Sequence, residues 1–169
     1  MPTSDPVYEL CEKFGIVFEN DKGMGLIKRA LTHSSYVREN NLCLCECNER
    51  LEFLGDAVLK ICISSFLYDE MPKTQEGELT KVRAQIVSDK TLAGFAKKIG
   101  LSECLILGKQ EEKSGGREKP SILACAFEAF LGALFLEFGL EYSKKFLLEN
   151  FSDEIEEIGV SIESSNPKA

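Results

Sequence analysis

At 169 residues, with 44% hydrophobic and 28% charged side chains, the chain is long enough to bury an extended core as one domain. Its uninterrupted apolar runs, such as Ile122–Phe127, are too short to cross a bilayer, and Met-Pro-Thr-Ser-Asp-Pro opens the chain without the basic and apolar regions of a signal peptide. The expected location is the cytoplasm, with no membrane partner. A net charge of −8 and a pI near 4.9 argue against a nucleic-acid ligand held by Lys and Arg alone, unless bound cations reverse the sign of an acidic site.

Val7, Leu10, Cys11 and Phe14 recur at helical spacing and predict a first helix from Pro6 to about Phe14. A turn around Asn20–Gly23 leads into a second helix over Leu26–Ala30, with Thr32-His33-Ser34-Ser35 near its end. His33 is the only histidine and reads as structural. A polar connector, Arg38–Cys47, carries Cys43, Cys45 and Cys47 in alternation. Seven cysteines without an export signal read as reduced thiols. The alternating run lacks the second pair or the histidines that a structural zinc site uses, so it reads as a loop.

The longest periodic segment runs from Asn48, a suitable N-cap, to about Tyr68, with Leu51, Leu54, Val58, Ile61, Ser65 and Leu67 roughly on one side. Met71-Pro72 stops it. Gly77–Val87 and Asp89–Lys98 predict two more helices, the second closed by Gly100. Gly108–Pro120 reads as a loop centred on Ser114-Gly115-Gly116, whose Lys109, Lys113, Arg117 and Lys119 either contact phosphates or are simply solvated. Ser121–Phe138 and Glu141 to about Ile158 predict the last two helices, with Ser161–Ala169 a frayed end. No segment alternates as a strand and no repeat is visible. The fold class is all-α, with a domain over residues 1–158 and a flexible tail over 159–169.

Two segments carry chemistry. Glu49, Glu52 and Asp56 are offset by three and four residues, which stacks all three on one face of a helix. Glu128 stands alone in the apolar stretch Ile122–Phe130, where an unpaired buried carboxylate is very costly. Brought together, these acids would form an oxygen-rich site for hard divalent cations such as Mg²⁺, and a pair of such ions can promote phosphodiester hydrolysis. The alternative is that each acidic column is a solvated face.

The run Glu49-Arg50-Leu51-Glu52-Phe53-Leu54-Gly55-Asp56-Ala57-Val58-Leu59 resembles the signature of the ribonuclease III family. Leu31–Tyr36 resembles the family's upstream motif, Glu76–Ala84 its middle helix, and Lys113–Leu123 the approach to its second catalytic helix. The resemblance implies a helical bundle that pairs as a two-fold homodimer and cuts double-stranded RNA. It also implies dependence on Mg²⁺, with Mn²⁺ as a substitute, and 5′-phosphate and 3′-hydroxyl products with short 3′ overhangs. By the same resemblance Glu52, Asp56 and Glu128 are metal-binding acids, with Asp56 and Glu128 central to cleavage. Glu49 and Glu76 are secondary acids, and Phe53 is an aromatic knob for the partner subunit, beside its reading as an ordinary core residue.

Two departures stand out. Cys125 occupies the metal-site position, three residues before Glu128, where the family has Asp, and sulfur suits Mg²⁺ poorly. The chain also ends at Ala169, where many relatives continue into a double-stranded-RNA-binding domain. The competing readings are an inert RNA-binding or ribosome-associated relative and an enzyme deliberately altered at one residue. Retention of Glu49, Glu52, Asp56, Glu76 and Glu128 argues against the inert relative.

Overall fold

The computed structural model describes residues 5–165. Among these the chain forms ten α-helices and two 3-10 turns, with one isolated bridge between Thr32 and Ile106 and no strand. Helix α1 (Pro6–Lys13) begins with the Asp5 carboxylate accepting from the Val7 amide at 3.0 Å and proline in the first turn, where no donor is needed. Helix α2 (Asp21–Ala30) starts earlier than its apolar spacing suggested, because Asn20 caps it by accepting from the Lys22 amide at 3.0 Å. Thr32–Ser35 does not close α2. His33 instead caps a new helix, α3 (Ser34–Glu39), with Nδ1 accepting from the Ser35 amide at 3.2 Å.

The cysteine connector contains a 3-10 turn over Leu44–Glu46. That turn brings Cys43 and Cys45 together as a disulfide with Cα atoms 5.2 Å apart, where free thiols were expected; Cys11, Cys47, Cys62, Cys104 and Cys125 are free.

Helix α4 (Glu49–Glu70) buries Leu51, Gly55, Val58, Leu59, Cys62, Ile63 and Leu67. Ile61, expected on the inner face, is exposed, because α9 covers one side of α4 while α5 and α10 cover another. Asn48 holds the cap position, but its side chain makes no capping bond. Helices α5 (Glu76–Ile86) and α6 (Asp89–Ile99) fall where the spacing placed them, and Gly100 ends α6 at φ +86°, a conformation glycine adopts without strain. A short α7 (Leu101–Cys104) follows.

The segment expected as one loop is largely ordered into α8 (Lys109–Lys113) and a 3-10 turn over Gly116–Glu118. Arg117 locks it, donating to both Glu112 carboxylate oxygens at 2.9 and 2.7 Å and to the Ser102 carbonyl at 2.6 Å. Helix α10 (Leu140–Ser165) continues past residue 158, with Ile158 and Ile162 packed against the core, so the expected tail is helical through Ser165. Residues 166–169 of that tail lie outside the described residues.

Helix α9 (Pro120–Phe138) is the axis of the domain, with Leu123, Ala126, Phe127, Ala129, Phe130, Leu131, Ala133 and Leu134 fully buried beneath α2, α4, α6 and α10. By length and a mean hydropathy of 1.8 it is the one described helix long and apolar enough to cross a membrane, although the individual runs are short. Here its surroundings are protein. Phe95 of α6 stacks on Phe151 of α10 at 4.2 Å, and Phe127 of α9 meets both edge-on at 5.7 and 5.4 Å.

Candidate active site

Two glycines decide how the acidic residues meet. A Cβ on Gly55 of α4 would lie 1.7 Å from the Glu128 carbonyl oxygen, and one on Gly132 of α9 would lie 2.5 Å from the Leu51 carbonyl oxygen. The two helices therefore touch backbone to backbone, which no side-chain-bearing residue permits at either position. This crossing sets Asp56, next to Gly55, and Glu52, one turn earlier, beside Glu128 and Cys125 on the facing helix.

The resulting negative charge is only partly compensated. Burial pushes the Glu128 carboxyl up to about 7, reinforced by the charges of Asp56, Glu52 and Asp89 and only partly opposed by Lys60. Burial likewise pushes the Cys125 thiol up to about 12, followed by the charge and hydrogen bonding of Glu52 and the charges of Glu128 and Asp89. Cys125 is thus a neutral group among carboxylates. Lys60 donates to Asp56 at 2.8 Å from one turn along α4, an exposed pair worth little in stability. No three His, Cys, Asp or Glu side chains among the described residues are already gathered tightly enough to hold a metal ion.

The other residues singled out in the sequence are distributed around this cluster. Glu49 is exposed at the start of α4. Glu76 is not drawn into the cluster; it opens α5, accepts from the Thr80 hydroxyl at 3.0 Å and faces Ser64, Tyr68 and Arg83 across a shallow depression. Phe53 is 83% exposed, which removes the core reading. Of the four basic residues on 109–119, Arg117 is committed to Glu112 and Ser102, and Lys119 pairs with Glu111. The Lys109 and Lys113 side chains are exposed.

Asp89 was missed by the sequence reading, since nothing in the spacing links the first residue of α6 to α4 or α9. Lys60 was legible as the i+4 neighbour of Asp56.

The comparisons with known proteins agree with this architecture. The ribonuclease-III-like family profile matches residues 24–155. Over 147 residues the chain is 48% identical to ribonuclease 3 of Streptococcus gordonii, covering 87% of this chain and 62% of that protein. Over 138 residues it is 51% identical to ribonuclease 3 of Bacillus cereus, covering 82% and 55% respectively. The chain thus spans a little over half the length of these curated relatives.

Among solved structures, the nuclease domain of ribonuclease III from Campylobacter jejuni superposes with a TM-score of 0.75 at 37% identity, covering 86% of this chain and 99% of that one. That structure is described for flexibility in a region involved in dimer formation. Dicer from Pichia stipitis superposes with a TM-score of 0.60 at 29% identity, covering 86% and 62% respectively. With its central signature helix, its buried α9 and a profile match over most of its length, the chain belongs to the ribonuclease-III-like family.

Proposed function

We propose that the chain is the catalytic domain of a double-stranded-RNA endoribonuclease that works in the cytoplasm as a homodimer and requires Mg²⁺, or Mn²⁺ in its place. The observation that carries this reading is the convergence of Glu52, Asp56 and Glu128 across the α4–α9 crossing, where Glu128 is held among like charges with its carboxyl pushed up to about 7. Half-buried carboxylates of one sign, with a single lysine between them, are suited to a hard divalent cation. Glu52, Asp56 and Glu128 fit that role, and the Cys125 thiol does not. When bound, the cation supplies Lewis-acid activation of water and of the scissile phosphate, leaving 5′-phosphate and 3′-hydroxyl ends.

The chain's own residues do the rest. Glu52, Asp56 and Glu128 would hold the cation, and Asp56 would also orient the attacking water. Glu49 and Glu76 are secondary acids along the RNA path. Lys109 and Lys113, the basic residues of α8 with exposed side chains, are suited to phosphate contact. Phe53, standing out from α4, is the contact for the second subunit.

Cys125 favours one alternative, an RNA-binding or ribosome-associated relative that has lost cleavage. A single assay separates the two readings: incubation of duplex RNA with Mg²⁺ and with Mn²⁺, beside Asp56→Asn and Glu128→Gln. Cutting by the parental protein and by neither variant supports the enzyme. RNA binding without cutting in either metal supports the inert relative.

A further inference from the structure

A cavity of about 180 Å³ opens beside the acidic cluster, lined by His33, Ser34, Asn48, Glu49, Glu52, Ser121, Ile122 and Cys125. Asn48 is only 3% exposed and Ser34 8%, yet neither side chain has a hydrogen-bond partner among the described residues. Their polar atoms are not sealed in the core, since Glu154 Oε2 is the one fully buried side-chain polar atom without a partner among the described residues, so they open onto a surface that can take a hydrogen-bonding group. Both lie on the wall of one cavity, which is where a ligand would satisfy them.

The hydrogen bonds around His33 fix what it offers there. The Ser35 hydroxyl oxygen accepts from the Gly108 amide at 2.9 Å, so its proton is free to go to His33 Nδ1 at 2.8 Å. Nδ1 also accepts from the Ser35 amide at 3.2 Å. With Nδ1 an acceptor, the proton of the neutral ring sits on Nε2, and burial favours that neutral state. The ring therefore presents an N–H donor rather than a metal-binding lone pair.

The charges narrow the occupant further. Glu49 and Glu52 line the cavity, while no Lys or Arg does, so a phosphate is repelled. No Phe, Tyr or Trp is present to stack a base. Neutral donors on one side and carboxylate acceptors on the other match a hydroxyl, which both accepts and donates.

We propose that this cavity is a ribose subsite: it takes a sugar of the RNA beside the acidic cluster, His33 Nε2–H and the Asn48 amide donating to its 2′-hydroxyl and the Glu49 carboxylate accepting from it. The inference rests on the RNA-cleaving function proposed above and adds the group by which RNA is told from DNA. A cavity built to bond a hydroxyl discriminates strongly against the analogue that lacks it, because its polar groups are then left unpaired.

The test is a coupling experiment in the Glu128→Gln background, so that the RNA stays whole. Duplexes carrying a single 2′-deoxy nucleotide at each position in turn are titrated by fluorescence anisotropy. At one position near the cleavage site the substitution weakens binding by about tenfold. With Asn48→Ala also present, the same substitution has no further effect. Ser34→Ala, which removes only an unpartnered hydroxyl, serves as the second variant, and thermal melting reports whether each variant is folded.

Equal losses in the presence and absence of both Asn48 and Ser34, or no loss at any position, overturn the proposal. A fall in Mg²⁺ affinity on Asn48→Ala in calorimetry without RNA identifies a cation site and also overturns it. If the parental protein binds no duplex RNA, the proposed function itself falls, and the subsite with it. Tight RNA binding without coupling removes the subsite alone.

Discussion

Gly55 and the Glu128 carbonyl are in backbone contact: a Cβ on the glycine would lie 1.7 Å from that oxygen. The obstruction is main chain, so no rotamer change relieves it, and α4 and α9 must separate to admit even a methyl group. Gly55→Ala is expected to destabilise the domain by about 1–3 kcal/mol and to weaken divalent-cation binding by moving Asp56 away from Glu128. Gly94→Ala is the contrast, since a Cβ there meets nothing within 4 Å. That change in the middle of α6 should stabilise by about 0.5–1 kcal/mol. Thermal denaturation of both variants checks the pair, and equal melting shifts would show that the crossing is looser than the structure indicates.

The Glu128 carboxyl gives the cation-free protein a characteristic pH dependence. Its folded value is raised from 4.5 to about 7 by burial and by neighbouring carboxylates. Between those values the folded state binds more protons than the unfolded state, so stability falls as pH rises through the window. Glu128→Gln removes the titration, and the variant should be more stable than the parent above pH 7, by on the order of 1 kcal/mol after allowance for partial exposure. Melting curves at several pH values in a chelating buffer measure this. Parallel curves for parent and variant would place Glu128 in a solvated setting.

On the proposed function, Cys125 stands where a hard oxygen donor would serve the cation better. It lies one helical turn from Glu128, on the same face of α9, and its thiol is pushed up to about 12. Cys125→Asp should raise Mg²⁺-dependent cleavage of duplex RNA by about tenfold, the effect of ~1.4 kcal/mol in the transition state. Mn²⁺, which tolerates sulfur better, should rescue part of the deficit in the Cys form. Single-turnover rates across a Mg²⁺ titration decide the matter; equal rates at every concentration would make Cys125 a tolerated neighbour.

Phe53, at 83% exposure, contributes almost nothing to the fold of one subunit. Phe53→Ala should leave thermal stability at high dilution within about 0.5 kcal/mol while weakening self-association measured by sedimentation. A parental protein that is monomeric at every accessible concentration would remove the proposed homodimer altogether.

Arg117 and Lys113 sit close in sequence yet should behave differently. Arg117 bridges Glu112 and the Ser102 carbonyl, so Arg117→Ala should destabilise by about 1–2 kcal/mol. Lys113→Ala should leave stability unchanged, weaken duplex RNA binding, and reduce its salt dependence by about one ion. Melting and salt-titrated binding of both variants separate the two roles.

Most of the helical architecture was legible from local rules. Apolar periodicity and the Gly100 cap located α4, α5, α6 and α9, and the three-four spacing of Glu49, Glu52 and Asp56 placed them on one face, because both effects act within a turn or two of chain. The ordering of residues 109–118 was not legible, since it rests on Arg117 reaching back to Ser102. The side of α4 on which Ile61 falls was likewise set by the neighbours that pack there.

The candidate site divides the same way. The sequence singled out Glu52, Asp56, Cys125 and Glu128, yet only the tertiary structure decided that they meet, through two glycines more than seventy residues apart that let α4 and α9 touch. Asp89 joined their field, and His33, Ser34 and Asn48 gathered around one cavity, although the sequence marked the first two only as part of a motif and the third only as a helix cap. Spacing along a helix specifies a face; which faces converge depends on backbone approach and burial, and those are properties of the packed chain.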